Sequence, residues 1–197
     1  MQLKHFSDIS AAATRVVDAA ERLIQVHGYN GFSYDDISRE IGIKKPSIHH
    51  HFATKAELVR IVIQRYTDTF RGALNAIEIS DSGAIARLFG YVDLFSQTYE
   101  KDQRLCVCGM LGAEVKSLSE AAAQEVQSFF QMNLDWLTKI IRNGSQSGEL
   151  RFTSSSPEAH AYALLSTLEG AMIVGRGLAI NNAPALAGRT YISNLPA

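Results

Sequence analysis

Residues 33–58 read SYDDISREIGIKKPSIHHHFATKAEL, and the fold turns on how that stretch is parsed. Ser33 followed three residues later by Asp36 is a capping-box start, in which hydroxyl and carboxylate satisfy amides left over at a helix N-terminus. Ile37 and Ile41 stand four apart and share one helix face. Gly42 allows a sharp turn without the steric cost of a Cβ. Pro46 falls at the opening of a second helix, where a missing amide hydrogen costs little. Ile48 and Phe52 are again four apart, and with Ile43 they complete an apolar interior. The spacing predicts two short helices, at about 34–41 and 46–52, joined at the glycine.

The outward positions of the second helix are Lys44, Lys45, Ser47, His49, His50 and His51, with almost no acidic residue among them. A short polar and basic helix held by an apolar inner face suits entry into a major groove with phosphate contacts at its margins. Thr54 with Glu57 makes a second capping box, and Lys55 in the first turn of the next helix has the placement of a phosphate clamp. This is a helix-turn-helix pattern, although a plain helical hairpin with solvated charges has the same spacing. Successive helical residues point about 100° apart, so three histidines in a row do not converge on one metal ion.

Over Thr14 to about Arg65 the sequence resembles the DNA-binding domain of the TetR/AcrR family of bacterial transcriptional regulators. Gly28-Tyr29 matches the end of that family's first helix, and Ser33 matches the Ser or Thr opening its second. Gly42-Ile-Lys-Lys-Pro-Ser-Ile-His-His-His-Phe52 matches its recognition segment, and Lys55-Ala-Glu-Leu58 matches the start of its fourth helix. Lys44 stands where the family usually has a capping serine, and His49 stands where it has a tyrosine. The resemblance implies that Ser33, Tyr34, Lys44, Lys45, Pro46, Ser47, His49, His50 and Lys55 form the DNA-binding surface.

Hydrophobic residues make up 46% of the 197, enough for a sizeable core. No apolar run is long enough to span a bilayer and the first residues lack a secretory stretch, so no membrane association and a cytoplasmic location are expected. Two cysteines two positions apart do not make a disulfide framework. Net charge is −1, but residues 1–66 carry nine Lys/Arg against seven Asp/Glu, while 67–197 carry ten against thirteen. A mildly basic head before a mildly acidic body is compatible with nucleic-acid binding. Glycine-rich phosphate loops, nucleophile elbows and metal-ligand spacings do not occur, so no catalytic residue, cofactor or metal is expected and the chain reads as a non-enzyme.

The remaining periodicity predicts a first helix from about Ser10 to His27 and a long fourth from about Lys55 to Ile79, broken at Ser80-Asp81-Ser82-Gly83. Further helices are expected at about 82–101, around 105–114, from Ser119 to about Asn143, from Ser156 to about Ala179, and at about 183–194. The fold class is therefore all-α with about nine helices: a three-helix helix-turn-helix head over 1–66 on a larger helical body over 67–197. By resemblance the body holds a ligand cavity, for which Phe89, Phe95, Cys106, Met110, Phe129, Trp136, Tyr162 and Met172 are candidate lining or sensing residues. In a continuous helix Cys106 and Met110 share a face and Cys108 points away; both cysteines also fit as small core hydrophobes. The last two helices of such proteins pair with those of a second subunit, which gives Leu164, Leu168, Ala171, Gly175 and Leu178 as dimer contacts. The expected activity is that of a homodimeric repressor on double-stranded palindromic operator DNA, released by a small hydrophobic or electrophilic inducer. Activation from the same fold, or a helical protein-interaction module, are the alternatives.

Overall fold

The Ser10 hydroxyl accepts from the Ala13 amide and so opens α1 (Ala11–His27), as the serine before an apolar-periodic run should. The computed structural model describes residues 5–80, 83–151 and 156–195. Among them the order continues α2 (Tyr34–Ile41), α3 (Lys45–His51), α4 (Lys55–Ser80), α5 (Ala84–Tyr99), α6 (Val107–Ala113), α7 (Glu120–Ser147), α8 (Pro157–Leu178) and α9 (Ala183–Ser193). Short 3-10 turns occupy Phe6–Asp8 and Val115–Ser117, and no strand occurs among the described residues. Asp81 and Ser82 of the expected break after the fourth helix lie outside the described residues.

Several helix ends differ from the sequence expectation for identifiable reasons. Lys44, extended, takes the cap position of α3, so the helix begins at Lys45. Helix α5 begins at Ala84 because a distant carboxylate caps it: Glu149 accepts from the amides of Ala84 and Ile85 at 2.7 and 2.9 Å. Helix α7 runs four residues further than expected and ends where Gly148 adopts φ 81°. Cys106 precedes α6, whose first residue is Val107, so Cys106 and Met110 do not share a helix face.

The described residues divide into two compact units, one drawn from 1–69 and 107–129, the other from 70–106 and 130–197. Helices α4 and α7 each contribute to both. In the first unit Val16, Val17, Ala20 and Ile24 of α1 are buried with Ile37 of α2, Ile48 of α3, Phe52 and the Leu58–Ile63 turn of α4. Each of the buried Val, Leu, Ile and Phe side chains among these contributes about 1.5–3 kcal/mol of burial free energy. Val107, Cys108 and Leu111 of α6 are also buried. Gly28, at φ 74°, packs closely on the residue that follows that helix: a Cβ there would run into the Glu114 carboxylate.

In the second unit α8 and α9 pack on α5 through close backbone approaches. A Cβ at Gly188 would meet Val92 and Leu168, and one at Gly175 would meet Ala183 and the Tyr99 hydroxyl. Aromatic rings fill the interior: Tyr91 touches Phe70, Phe95 and Trp136 at centroid distances of 6.1, 5.4 and 5.6 Å.

Candidate nucleic-acid interface

Helix α3 is only seven residues long, too short to persist alone, so its neighbours must hold it. Ile48 and Phe52 are wholly buried and anchor its inner side. The Phe52 amide bonds back to Ile48, and the Phe52 carbonyl accepts from the buried Tyr34 hydroxyl at 3.0 Å. Burial, reinforced by the Glu57 charge, drives the Tyr34 phenol well above its ordinary value, so the ring stays a neutral donor. Ser38 closes the turn with a bond to the Ile43 carbonyl, and Gly42 takes the left-handed conformation with φ 69°. Arg15 reaches from α1 to the Ile41 carbonyl and satisfies the end of α2.

With the inner side fixed, Lys44, Lys45, Pro46, Ser47, His49 and His50 are all exposed. Lys45 shares its charge with Asp35 at 2.8 Å, both half in solvent. The His49 ring lies edge-on to Tyr34 at 4.8 Å and meets the Ala53 carbonyl through Nδ1. Ser33 sits exposed beside this surface, engaged in the expected capping box with Asp36 at 2.6 and 2.7 Å. Those bonds hold the Asp36 carboxyl below the usual carboxylate range. The arrangement offers a rigid row of short polar and basic side chains, which is what groove recognition requires.

Two of the expected contact residues have other work. Tyr34 is buried, with its hydroxyl committed, so it supports α3 from beneath. The Lys55 ammonium donates to the carbonyls of Tyr29 and Phe32 and sits over both rings, at 4.6 and 4.1 Å from their centroids. Burial lowers its pKa, opposed by the charges of Glu114 and Asp36. Lys55 thus ties α4 to the loop after α1 and does not stand free as a phosphate clamp. Glu114, just past the end of α6, holds the same loop, accepting from the amides of Tyr29 and Asn30 and from the Asn30 side chain. Nothing local in the sequence announces that link, which joins residues 85 and 84 positions apart.

The residues expected in the body do not form one site. Phe95, Cys106, Trp136 and Met172 are buried in the second unit, whereas Met110 and Phe129 pack in the first. Phe89 is half-buried with the Arg189 guanidinium over its ring at 5.2 Å. Tyr162 is 66% exposed and lines an open groove of about 580 Å³ between the outer sides of α7 and α8, so it is no part of an interior cavity. Of the expected dimer contacts, Leu164, Leu168 and Gly175 are buried within the chain against its own helices, and Ala171 is half-buried. Leu178 is exposed, and with it Ile173 and Val174 of α8 and Leu186 of α9, which the sequence reading passes over. Glu169, the lone carboxylate in the apolar run of α8 after Glu158, also goes unremarked there, and its burial is taken up below.

Residues 16–62 match the model of the family described as bacterial regulatory proteins, tetR family. The chain is 27% identical over 163 residues to an uncharacterized HTH-type transcriptional regulator of Lactococcus lactis, covering 81% of both. It is 28% identical over 117 residues to IcaR of Staphylococcus epidermidis, a negative transcriptional regulator of a biofilm operon, covering 59% of this chain and 60% of that protein. A TetR-family regulator from Agrobacterium tumefaciens superposes with a TM-score of 0.89 at 30% identity, covering 94% of this chain and 97% of the other. A helix-turn-helix presented on a buried apolar base, together with a TetR-family likeness of 30% identity that spans nearly the whole chain, places this chain in the TetR/AcrR family of helix-turn-helix transcriptional regulators.

Proposed function

We propose that the chain is a homodimeric repressor that binds palindromic operator DNA through α3 and releases it when a small hydrophobic inducer enters the body. In this reading 1–66 is the DNA-binding domain and 67–197 the ligand-binding and dimerisation domain. The observation that carries it is the exposed row Lys44, Pro46, Ser47, His49 and His50 on a helix whose other side is locked by Ile48 and Phe52. The IcaR likeness favours repression. The exposed Ile173, Val174, Leu178 and Leu186 favour a second copy against α8 and α9, with Gly170 and Gly177 leaving open space for close approach. One seven-residue helix reads few bases, and a two-fold dimer doubles the site. Cys106 is 1% exposed, which supports an inducer bound reversibly over an electrophile attacking that thiol. Helix α4 is continuous through residues of both units, so a shift of its body half is transmitted to its N-terminal half, the turn that follows α3.

Fluorescence anisotropy on the DNA upstream of the chain's own reading frame, with excess unrelated duplex, tests this reading. Saturable binding that resists competitor is the expected result. Binding that falls away equally on all duplexes would remove the sequence-specific role.

A further inference from the structure

The interior of the second unit holds a carboxyl group one of whose oxygens its own protein leaves without a partner. Glu169 is partly covered along its stem, but its Oε1 is sealed from solvent and has no hydrogen-bond partner. Orphaned buried acceptors are uncommon in native proteins, because each carries the full cost of lost hydration. Around it stand Cys106, whose thiol donates toward the carboxyl, and Tyr91, whose field the carboxylate alters. The Tyr91 hydroxyl donates to the buried Asn133 at 2.7 Å, and its ring stacks on Trp136 with 19° between planes. Phe95 closes on the same ring. An acceptor that wants a donor, within the electrostatic reach of an aromatic ring that itself contacts two others, makes the pairing of groups that receives an organic cation.

We propose that Glu169, with the Tyr91–Trp136 stack, is the recognition point for an inducer consisting of a hydrophobic body and a protonated amine, whose N–H binds the Glu169 carboxylate. This rests on the reading of the body as an inducer-binding domain and adds the chemical class of the ligand. Burial has raised the carboxyl from its ordinary value to about 7, so near neutral pH it is poised between forms and a bound cation draws its proton off. A carboxylate ligand would meet a like charge, and a neutral alcohol would lose the charge-assisted part of the bond.

The test titrates the full chain with phenylethylamine, phenylpropylamine and phenylbutylamine and with the matching alcohols and carboxylates, by calorimetry at pH 7. At least one amine should bind about tenfold tighter than its alcohol, the margin of a charged over a neutral hydrogen bond. In Glu169→Gln that preference should shrink to within about twofold, with circular dichroism confirming the fold. Should the variant fail to fold, wild type in two buffers of different ionisation enthalpy still decides: amine binding should release up to about half a proton at pH 7. Among the described residues, Tyr91 and Cys106 are titratable groups that interact with this carboxyl. Folded wild type that binds no amine, or that binds an alcohol or carboxylate as tightly, overturns the proposal. Operator binding is followed in parallel. Retained DNA binding without amine binding overturns only the site, whereas amine binding that leaves DNA affinity unchanged upholds the site and removes its role in induction.

Discussion

Helices α3 and α8 use their apolar residues in different ways. In α3 the only buried side chain is Ile48, every position of contact interest faces out, and the helix is held by groups from α2 and by its own cap, Phe52. In α8 apolar residues lie on most of the circumference: Leu164, Leu168 and Met172 face the chain's own core, while Ile173, Val174 and Leu178 face solvent. A helix with one apolar side declares its surface; a helix apolar nearly all round hides which side is surface. The difference separates residues that build the monomer from residues available to a partner, and substitutions can force that separation.

The largest effect should come from the buried anchors of both helices. Phe52→Ala should lose about 3–5 kcal/mol and Leu168→Ala about 2–5 kcal/mol in denaturant unfolding. If Leu168→Ala instead dissociated the protein with its stability intact, the assignment of Leu168 to the monomer core would fail.

Next is a pH effect at Glu169. With its pKa raised from 4.5 to about 7, the folded chain keeps a proton that the unfolded chain has released. Stability therefore falls as pH rises through that window and levels off above it, by on the order of 3 kcal/mol for this group. Glu169→Gln should lack that fall, so wild type minus variant, measured at pH 5 and pH 8, isolates the carboxyl from the surface acids common to both. A difference that does not change with pH would mean that Glu169 is solvated in the native chain.

Tyr34→Phe should cost about 1 kcal/mol, the worth of a single buried hydrogen bond, while operator affinity at equal folded fraction stays unchanged. A loss of affinity without a loss of stability would return Tyr34 to the contact surface. Smallest in monomer stability, within about 0.5 kcal/mol, should be Val174→Arg on the exposed side of α8, yet sedimentation should show its association lost. An unchanged sedimentation coefficient would move the dimer surface elsewhere.

The helix-turn-helix was legible because its signals are local. Ser33 with Asp36, Gly42, Pro46 and the Ile48–Phe52 pair each act over at most four residues, and the structure keeps all of them. The same nearness explains why Lys44, Ser47, His49 and His50 were identified as exposed. The internal bonds of Lys55 and Tyr34 were not legible because their partners, the Tyr29, Phe32 and Phe52 carbonyls, are fixed by tertiary packing. Glu149 and Glu114 act across the chain on amides that no short motif links to them. Cys106 and Met110 share a face only in a helix that contains the cysteine, whereas α6 begins one residue after it. In α8 the periodicity was too weak to choose between core and partner, and the small Gly175 that invited a second subunit is filled by Ala183 and Tyr99.

Selection from a random duplex DNA pool tests most directly whether the outward row of α3 reads sequence. Wild type should enrich an inverted repeat, with half-sites spaced for two recognition helices one turn of DNA apart. The Ser47→Ala, His50→Ala double variant, checked for an unchanged melting temperature, should bind that repeat more weakly and with relaxed preference in each half-site. Equal affinity and an identical enriched sequence for both proteins, or no enrichment by folded wild type, would contradict the account.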